Sequence, residues 1–385
     1  MTTLTAQLTA APAAPYPASV IDLRALALRA LRRMYLPKLG LFAFRLRRSG
    51  DEELLEGVSP RYTAIALIGL AGEDPHSARE ALRGADRQEV CGHLLHSIRA
   101  SHNVGDVALA YWAATALDHP AAATRDQLLS LHPWAGPCPT VELAWALTAL
   151  SIEGKTAAST DNTEPAARVA RRLMDSFHQR SELFPHHPAD GGGSRLRGHI
   201  ACYADLVYPI QALAHYYRRA GDDDALRLAT CCADRMVALQ GPAGQWWWHY
   251  HVRTGRVVEG YPVYAIHQDA MGPMALLDLA DAGGPDHRDA ITRGLDWLHS
   301  PPEIAGTLID QHAGVVWRKV ARHEPAKLTR TLHAVASRIH PSLRAFGADR
   351  IFRPGRVDFE SRPYHFGWLL YAWSPARISS WQQPG

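Results

Sequence analysis

Apolar and small residues recur at helical spacing along most of the chain, in segments separated by short breaks of Gly, Pro, His and Asp. The pattern predicts roughly a dozen helices, among them Ser19–Tyr35, Glu164–Arg180, Ala225–Gln240 and Asp286–His299. Alternating strand patterns are missing except near residues 245–258, where GQWWWHYH and VRTGRVVEG flank a Thr-Gly turn. The chain is therefore predicted to be all-α, with a short β-ribbon or loop insertion near 245–258.

Six segments share one design, in which one or two polar residues precede a helix dense in small and apolar residues. In chain order they are SPRYTAIALIGL, GDVALAYWAATAL, PTVELAWALTAL, CYADLVYPIQAL, HQDAMGPMALLDL and RPYHFGWLLYAW. A helix that is apolar nearly all round is buried on both sides, and the chain between segments is long enough for a more polar partner helix. Six such pairs predict two concentric rings of helices, which is the architecture of an (α/α)6 toroid. The prediction is a single toroid domain over residues 19–385, preceded by a disordered leader at residues 1–18.

The inner helices of such a toroid run in the same direction, so the polar residues at their N-termini should meet at one mouth. These residues are Arg61, Tyr62, Asp106, Glu142, Asp205, His267, Gln268, Asp269, Glu360, Arg362 and His365. Helix N-termini favour carboxylates and anionic ligands. Any one acidic residue could be a simple helix cap, but Arg, His and Tyr cap poorly, and the set is therefore interpreted as a functional mouth.

The densest group of aromatic and ionisable residues precedes and enters the fifth segment. Its members are Trp246, Trp247, Trp248, His249, Tyr250, Glu259, Tyr261 and Tyr264. Aromatic faces and hydrogen-bonding side chains together suit the apolar faces and polar edges of sugars. If residues 245–251 form a strand, Trp246, Trp248 and Tyr250 share one face. The tryptophans are expected either to stack on a ligand or to plug the space under a loop.

Two passages resemble known toroids. Gln240-Gly-Pro-Ala-Gly-Gln-Trp246 fits the Q-x3-G-x-W half of the repeat of squalene-cyclase-type toroids, and TVELAWALTAL is similar to toroid inner helices. The chain thus resembles the α/α-toroid group, which contains six-hairpin glycosidase-like enzymes and terpenoid cyclase/protein prenyltransferase-like proteins. It has neither the D-x-D-D acid motif nor the D-x-C zinc element of the second branch. The resemblance implies a toroid, and the polar mouth looks more like six-hairpin enzymes acting on sugars.

For glycoside hydrolysis, Asp269 is the favoured buried carboxylate, because a partly dehydrated mouth would raise its pKa and suit it to act as a general acid. A second carboxylate is needed as base or nucleophile. Glu142, Asp205, Asp106 and Glu360 are candidates that spacing in the sequence does not separate.

A lyase or epimerase would instead remove a proton beside a substrate carboxylate, with His267 or Tyr264 as base and Arg61 or Arg362 neutralising that carboxylate. Both mechanisms stay open. The residues predicted to be catalytic are Asp269, His267, Tyr264, Glu142 and Asp205. The other mouth and Trp-rich residues named above are predicted to bind substrate.

Composition and charge narrow the classes of molecule that the protein is expected to bind. The net charge of +3, from 41 basic and 38 acidic residues, does not predict nucleic-acid binding. No apolar run suits a membrane span, and the five cysteines show no disulfide or zinc pattern, which favours a reducing, cytoplasmic compartment. His249 and His251 fall short of a metal site. A small-molecule or oligosaccharide substrate is expected, and neither metal nor cofactor is predicted.

Two alternatives to a carbohydrate-active enzyme remain. The first is a terpenoid cyclase- or prenyltransferase-like enzyme, with Asp269 protonating an isoprenoid and the tryptophans facing the cation. Its pocket should be deep, aromatic and nearly free of His. The second is a non-catalytic toroid that binds a partner, in which the carboxylates should be scattered rather than paired across a shared cavity.

Overall fold

The structure is a computed structural model that describes residues 16–152, 161–189, 197–324 and 351–381. Residues 1–15 of the predicted leader lie outside this part of the chain, and the first helix begins at Tyr16, three residues earlier than predicted. Among the described helices, none combines the length and apolar character that crossing a membrane requires. The cytoplasmic location stays a prediction.

The helices follow one another in the order expected from the sequence. They are α1 (Tyr16–Met34), α2 (Pro60–Ala71), α3 (Pro75–Ala81), α4 (Arg87–Ser97), α5 (Val104–Ala116), α6 (Ala122–Ser130), α7 (Thr140–Ser151), α8 (Thr163–Asp175), α9 (Ala204–Ala220), α10 (Asp223–Ala238), α11 (Gly272–Asp281), α12 (Arg288–His299), α13 (Pro363–Ala372) and α14 (Pro375–Trp381). A π-helical turn, His267–Met271, runs directly into α11.

Six of the described helices form a closed inner ring. Neighbours pack in the order α2, α5, α7, α9, α11 and α13, and α13 packs back on α2. These helices lie in the six segments predicted from their all-round apolar pattern, and small side chains such as the alanines of α5 let them approach closely. Outside the ring, α4 packs on α2 and α5, α8 on α7 and α9, α10 on α9 and α11, and α1 on α13. The predicted α/α toroid is confirmed.

Short strands form small antiparallel sheets between the helices. They are β1 (Tyr35–Leu36), β2 (Leu41–Ser49), β3 (Glu52–Val58), β4 (Ile200–Cys202), β5 (His249–His251), β6 (Arg256–Glu259), β7 (Val263–Tyr264), β8 (Ile309–Asp310), β9 (Val315–Val316), β10 (Lys319–Arg322), β11 (Pro354–Asp358) and β12 (Glu360–Ser361). The β2–β3 hairpin, which the sequence analysis missed, pairs with β12 just before α13. It places polar and aromatic side chains beside the starts of α2 and α13.

The ribbon predicted near 245–258 exists, but it is shorter than expected. Strand β5 pairs with β6 as predicted and also with β4. Residues 245–248 are not a strand, so the expected alternation of faces does not hold: Trp246 and Tyr250 are fully buried, whereas Trp248 is partly exposed.

The seam between α2 and α13 depends on two glycines. A Cβ added to Gly367 would lie 2.4 Å from the carbonyl oxygen of Ile65, and one added to Gly69 would lie 2.2 Å from the carbonyl oxygen of Gly367. Both contacts are to backbone, which yields only if the helices move apart. The ring therefore closes through direct contact of two helix backbones.

We expect Gly367→Ala to lower the free energy of unfolding by about 1–3 kcal/mol, because forced overpacking outweighs the better helix propensity of Ala. Urea denaturation of both proteins measures the change. Gly92→Ala in the outer helix α4 is the matched control, since its added Cβ has its nearest neighbour, on His119, at 4.0 Å. Equal effects of the two substitutions would contradict the backbone contact at the seam.

Candidate active site

The N-termini of the inner helices meet at one end of the toroid, which we call the mouth. Side chains link the starts of several neighbouring helices: Arg61 on α2 contacts Asp106 on α5, and Asn103 before α5 contacts Glu142 on α7. At the other side of α2, Tyr62 accepts a hydrogen bond from Arg362 at the start of α13. The polar residues are thus gathered by helix direction.

Two partly exposed carboxylates, Asp106 and Glu142, lie on adjacent inner helices and form what we call the carboxylate pair. Arg61 donates from Nε to Asp106 Oδ1 at 2.6 Å, and its Nη2 lies 3.6 Å from Glu142 Oε1. Asn103 donates from Nδ2 to Glu142 Oε1 at 2.9 Å. One guanidinium that reaches both residues keeps them within about 10 Å of each other, the range that glycosidases use.

Neither member of the pair is a helix cap. The side chain of Asn103 caps α5 by accepting from the backbone N–H of Asp106, and the side chain of Ser59 caps α2. Helix α7 begins after Pro139 without a side-chain cap. The capping explanation of Asp106 and Glu142 is therefore wrong, and both carboxylates are left for other contacts.

Beside the pair lies a stack of three partly exposed rings, which we call the aromatic wall. Tyr62, next to Arg61 in the chain, stacks between Phe44 and Tyr364 with ring centroids 5.3 and 4.7 Å away. The Arg362 guanidinium covers the Phe44 ring at 4.6 Å and donates to the Tyr62 hydroxyl at 2.7 Å. The wall offers apolar faces with a cation at their edge.

Glu360 fixes the cations around this wall. Its carboxylate is 5% exposed and pairs with Arg45 at 3.0 Å, with Arg318 at 3.2 Å and with Arg362. A carboxylate neutralised by three guanidiniums is not free to bind a ligand. Glu360, predicted to bind substrate, therefore positions Arg362 and Arg318 instead.

Asp269 lies deeper than predicted. Its side chain is fully buried, and its Oδ1 lies 2.7 Å from Nε2 of His365, in a hydrogen bond between the fifth and sixth inner segments. Its other oxygen has no hydrogen-bond partner among the described residues. The expected position in a partly wet mouth is not found, and the geometry favours Asp269 as the group that orients His365.

His267 is enclosed by aromatic rings. Its ring centroid lies 4.3 Å from that of Tyr203 and 5.0 Å from that of Tyr264. Burial, together with the nearby His365 and Arg318, lowers the pKa of His267 to about 3. The imidazole is therefore neutral near pH 7.

The lowered pKa of His267 has a consequence for stability. An unfolded His has a pKa of about 6.5, so between pH 6.5 and 3 the unfolded chain binds a proton that the folded chain does not. The stabilisation that comes from burying His267 in its neutral form is fully present above pH 6.5 and is lost as the pH falls towards 3. His267→Phe keeps the ring packing and should make this loss shallower, as measured by urea denaturation from pH 7.5 to 4.5. A slope unchanged in His267→Phe, or changed equally in the exposed control His76→Gln, would contradict the prediction.

Several residues predicted to bind substrate are instead part of the core. Trp246 is fully buried, and Tyr250 is fully buried with its hydroxyl donating to the carbonyl of Trp247 at 3.0 Å. Gln268 accepts from the backbone N–H of Trp246 at 3.1 Å and donates to the carbonyl of Tyr264 at 3.0 Å. These side chains hold the 245–268 segment in place and lie out of reach of a ligand in the mouth.

Trp247 and Trp248 remain as the partly exposed members of the Trp-rich stretch. The Trp248 ring stacks on His249, with centroids 4.0 Å apart, and packs edge-on against Tyr264 at 5.5 Å. His249 is buried, and its Nδ1 lies 3.2 Å from a Glu259 oxygen. The Trp248 ring therefore rests on the buried His249, which is held by Glu259.

Glu259 also forms a buried ion pair with Arg322. Arg322 donates to Glu259 Oε1 at 2.8 Å, and both side chains are about 2% exposed. Tyr261 donates from its hydroxyl to Glu303 at 2.7 Å. Glu259 and Tyr261, predicted to bind substrate, thus have internal partners: Glu259 holds His249, and the Tyr261 ring packs edge-on against Trp247.

Asp205 is fully buried at the start of α9. It accepts from the backbone N–H of Cys202 at 2.7 Å and lies 3.0 Å from Nδ1 of His186. The sequence analysis assigned neither His186 nor Asn103 to the site. Asn103 could have been found as the N-cap residue three positions before Asp106, whereas nothing in the spacing links residue 186 to residue 205.

No protein-family model and no curated protein matches the chain. Solved structures do match. A sugar epimerase from a ruminal bacterium has a TM-score of 0.60 at 10% identity and covers 96% of this chain and 100% of its own. An unsaturated glucuronyl hydrolase specific for heparin has a TM-score of 0.59 at 14% identity, covering 93% and 95%, and a polysaccharide lyase has 0.56 at 11%, covering 96% and 99%. The chain shares the α/α-toroid fold of these structures.

Proposed function

We propose that the protein is a carbohydrate-active enzyme that performs acid–base chemistry at the mouth of the toroid. The observation that carries the proposal is the carboxylate pair, Asp106 and Glu142, partly exposed on adjacent inner helices and tied to one guanidinium. The names of the similar structures, an epimerase, a glucuronyl hydrolase and a polysaccharide lyase, are those of enzymes acting on sugars. At 10–14% identity they support the class of substrate without specifying the reaction.

The contacts of the two carboxylates suit different roles. Asp106 accepts a charge-assisted hydrogen bond from Arg61 Nε at 2.6 Å, which holds its carboxylate in place and suits it to act as base or nucleophile. Glu142 is less exposed, accepts from the amide of Asn103 at 2.9 Å and lies farther from the Arg61 guanidinium, at 3.6 Å. Glu142 is accordingly assigned as the proton donor to the leaving oxygen, and Asp106 as the group that acts on the opposite side of the scissile bond.

Substrate binding is assigned to the surfaces beside the pair. The aromatic wall offers the Tyr62 and Tyr364 rings to the C–H face of a sugar. Arg362, held by Glu360, lies at the edge of the wall, where it can donate to a hydroxyl or carboxylate group. Trp248 provides a further partly exposed ring, which packs edge-on against Tyr264, and the Tyr264 ring in turn faces Arg318.

A second reaction type is favoured by a different contact. The hydrogen bond between His365 and Asp269 is the arrangement of a general base oriented by a buried carboxylate. Such a base would abstract a proton from a sugar carbon, as elimination and epimerisation both require. In that reaction Asp269 positions His365, and the carboxylate pair binds substrate.

The two alternatives outside carbohydrate chemistry are less well supported. A carbocation formed at Asp269 would lie near the bases His365 and His267, which would quench it by taking a proton. A purely binding toroid gives no reason for two carboxylates to share one guanidinium on adjacent helices. The polar and charged character of the mouth therefore favours turnover of a sugar.

The test is product analysis with panels of neutral oligosaccharides, uronate-containing oligosaccharides and isoprenyl diphosphates, in H2O and in D2O. Addition of water across a glycosidic bond identifies hydrolysis, an unsaturated product identifies elimination, and carbon-bound deuterium in an unbroken sugar identifies epimerisation. Asp106→Asn should lower hydrolysis by about 10²–10⁴-fold, whereas His365→Asn should lower the two proton-abstraction reactions by a similar factor. Turnover confined to the isoprenyl panel, or no turnover in any panel, would contradict the proposal.

A further inference from the structure

Three side chains of different chemistry converge beside the start of α9. They are His186, in the loop after α8, Cys202, at the end of β4, and Asp205, in the first turn of α9. One potential ligand atom from each, an imidazole nitrogen, the thiol sulfur and a carboxylate oxygen, lies within 4.8 Å of both others. His186 Nδ1 is 3.0 Å from Asp205 Oδ2. Cys202 and Asp205 are neighbours where β4 runs into α9, and the fold brings His186, from the loop after α8, beside them.

The donor set suits a particular class of cation. Zinc takes thiolate, imidazole and carboxylate ligands in tetrahedral geometry, at bond lengths that place donor atoms about 3.3–3.8 Å apart. Small side-chain adjustments would bring the three atoms to that spacing. Calcium and magnesium require oxygen ligands, which a thiol and an imidazole do not supply.

The surroundings resemble those of a site that is held in place. The Asp205 carboxylate is 0% exposed, and the backbone N–H of Cys202 donates to its Oδ2 at 2.7 Å, which fixes the carboxylate orientation. The His186 side chain that contacts it is 50% exposed. A bound cation would offset the cost of this buried carboxylate, and the exposed side of His186 leaves an approach from solvent.

We propose that His186, Cys202 and Asp205 form a zinc site with three protein ligands and one position open to water or to another ligand. The proposal concerns metal binding and does not rest on the carbohydrate activity. Zinc would fasten the loop after α8 to the start of α9. That loop already contacts α7, where Thr140 donates from its backbone N–H to the carbonyl of His186 at 3.1 Å, two residues before Glu142. A metal here would therefore stiffen the wall of the mouth next to the carboxylate pair.

The experiment uses the full chain without an affinity tag, stripped of metal with a chelator and titrated with Co²⁺ and then with Zn²⁺. Cobalt bound through a thiolate gives a near-ultraviolet charge-transfer absorption, which reports the Cys202–metal bond directly. We expect one equivalent of Co²⁺ to produce this band and one equivalent of Zn²⁺ to remove it. Cys202→Ser should abolish the band, and His186→Gln should weaken binding by about 100-fold or more, beyond the loss seen when an outer partner of a metal ligand is removed.

Cys231→Ser is the matched control, because Cys231 is also partly exposed but lies on α10, away from the cluster. It should leave the band and the affinity unchanged. The exposed position of His186 protects its variant from misfolding, and Zn²⁺ should raise the Tm of the wild type but not of His186→Gln. No charge-transfer band in the wild type, a band that persists in Cys202→Ser, or one that is lost in Cys231→Ser would overturn the proposal.

Discussion

Replacing Glu142 by Gln is expected to lower turnover of the substrate by about 10²–10⁴-fold, the usual contribution of a positioned general acid or base. Gln keeps the size of the side chain and can still accept the hydrogen bond from Asn103. What it loses is the transferable proton.

Asp106→Asn should cause a loss of the same order, because Asn cannot act as base or nucleophile, although its amide oxygen can still accept from Arg61. Steady-state kinetics on the substrate found in the product panels gives kcat and kcat/KM for each variant.

The matched control for the first of these is Glu164→Gln. Glu164 lies exposed in the first turn of α8 and pairs with Arg168 at 3.6 Å on the outside of the toroid. Its variant should retain full activity, and all three variants should unfold at nearly the same urea concentration. Activity retained in both Glu142→Gln and Asp106→Asn would refute the assigned roles, and loss in His365→Asn alone would transfer the chemistry to the His365–Asp269 pair.

The second large effect is expected at the opposite end of the ring, where Asp278→Ala should lower the free energy of unfolding by about 3–5 kcal/mol. Asp278 is 2% exposed and lies among four partners. Gln211 donates to it at 2.7 Å, the Tyr371 hydroxyl lies 3.1 Å away, His215 lies 3.3 Å away, and Arg377 forms an ion pair with it. Removing the carboxylate leaves a nearly buried guanidinium and several hydrogen-bond donors without their acceptor.

The same network makes stability depend on acid. Burial alone would raise the pKa of Asp278, but the charges of Arg377 and His215 outweigh it and hold the pKa well below its usual range. An unfolded Asp has a pKa of about 3.9. The stabilisation of the folded state by the ionised Asp278 carboxylate is therefore present above about pH 4. It is lost as the pH falls towards the pKa that Asp278 has in the folded protein. Urea denaturation of the wild type should show this loss below about pH 4, and Asp278→Asn should show less of it.

Asp281→Ala is the control, because Asp281 pairs with the same Arg377 at 2.6 Å but is 47% exposed. Solvent screens such a pair, and its removal should cost about 0–1 kcal/mol. If the two alanine variants lose equal stability, the Asp278 network is not the stabilising feature that its burial indicates.

The inner ring could be predicted from the sequence because its cause is local. A helix such as α5, with small and apolar residues on every side, has few ways to be buried except between two layers. The hairpin β2–β3 was not predicted, since its arginines and glutamates pair across strands and leave little apolar alternation. Trp246 was predicted to bind substrate, with a structural role under a loop as the alternative, and tertiary packing placed it in the core.

The residues that lie at the mouth were predicted from the sequence, but the contacts between their side chains were not. Helix direction alone brings Arg61, Asp106 and Glu142 to one rim, and the sequence shows that direction. Which carboxylates pair depends on neighbours in the ring and on depth, and neither is encoded at short range. Asp269 and Glu142 both begin inner segments, yet one is fully buried against His365 and the other is partly exposed.

The contact of α13 with α2 and of α1 with α13 also bears on how the chain folds. Gly367 meets Ile65 across about three hundred residues of sequence, so this seam joins parts of the chain that are synthesised far apart in time. Until α13 arrives, the apolar side of α2 has no permanent cover, and contacts of such long range form late because the intervening chain must first be ordered. The growing polypeptide is therefore expected to pass through an open, C-shaped intermediate with an uncovered apolar edge. That edge is a natural place for a molecular chaperone to bind before the circle closes.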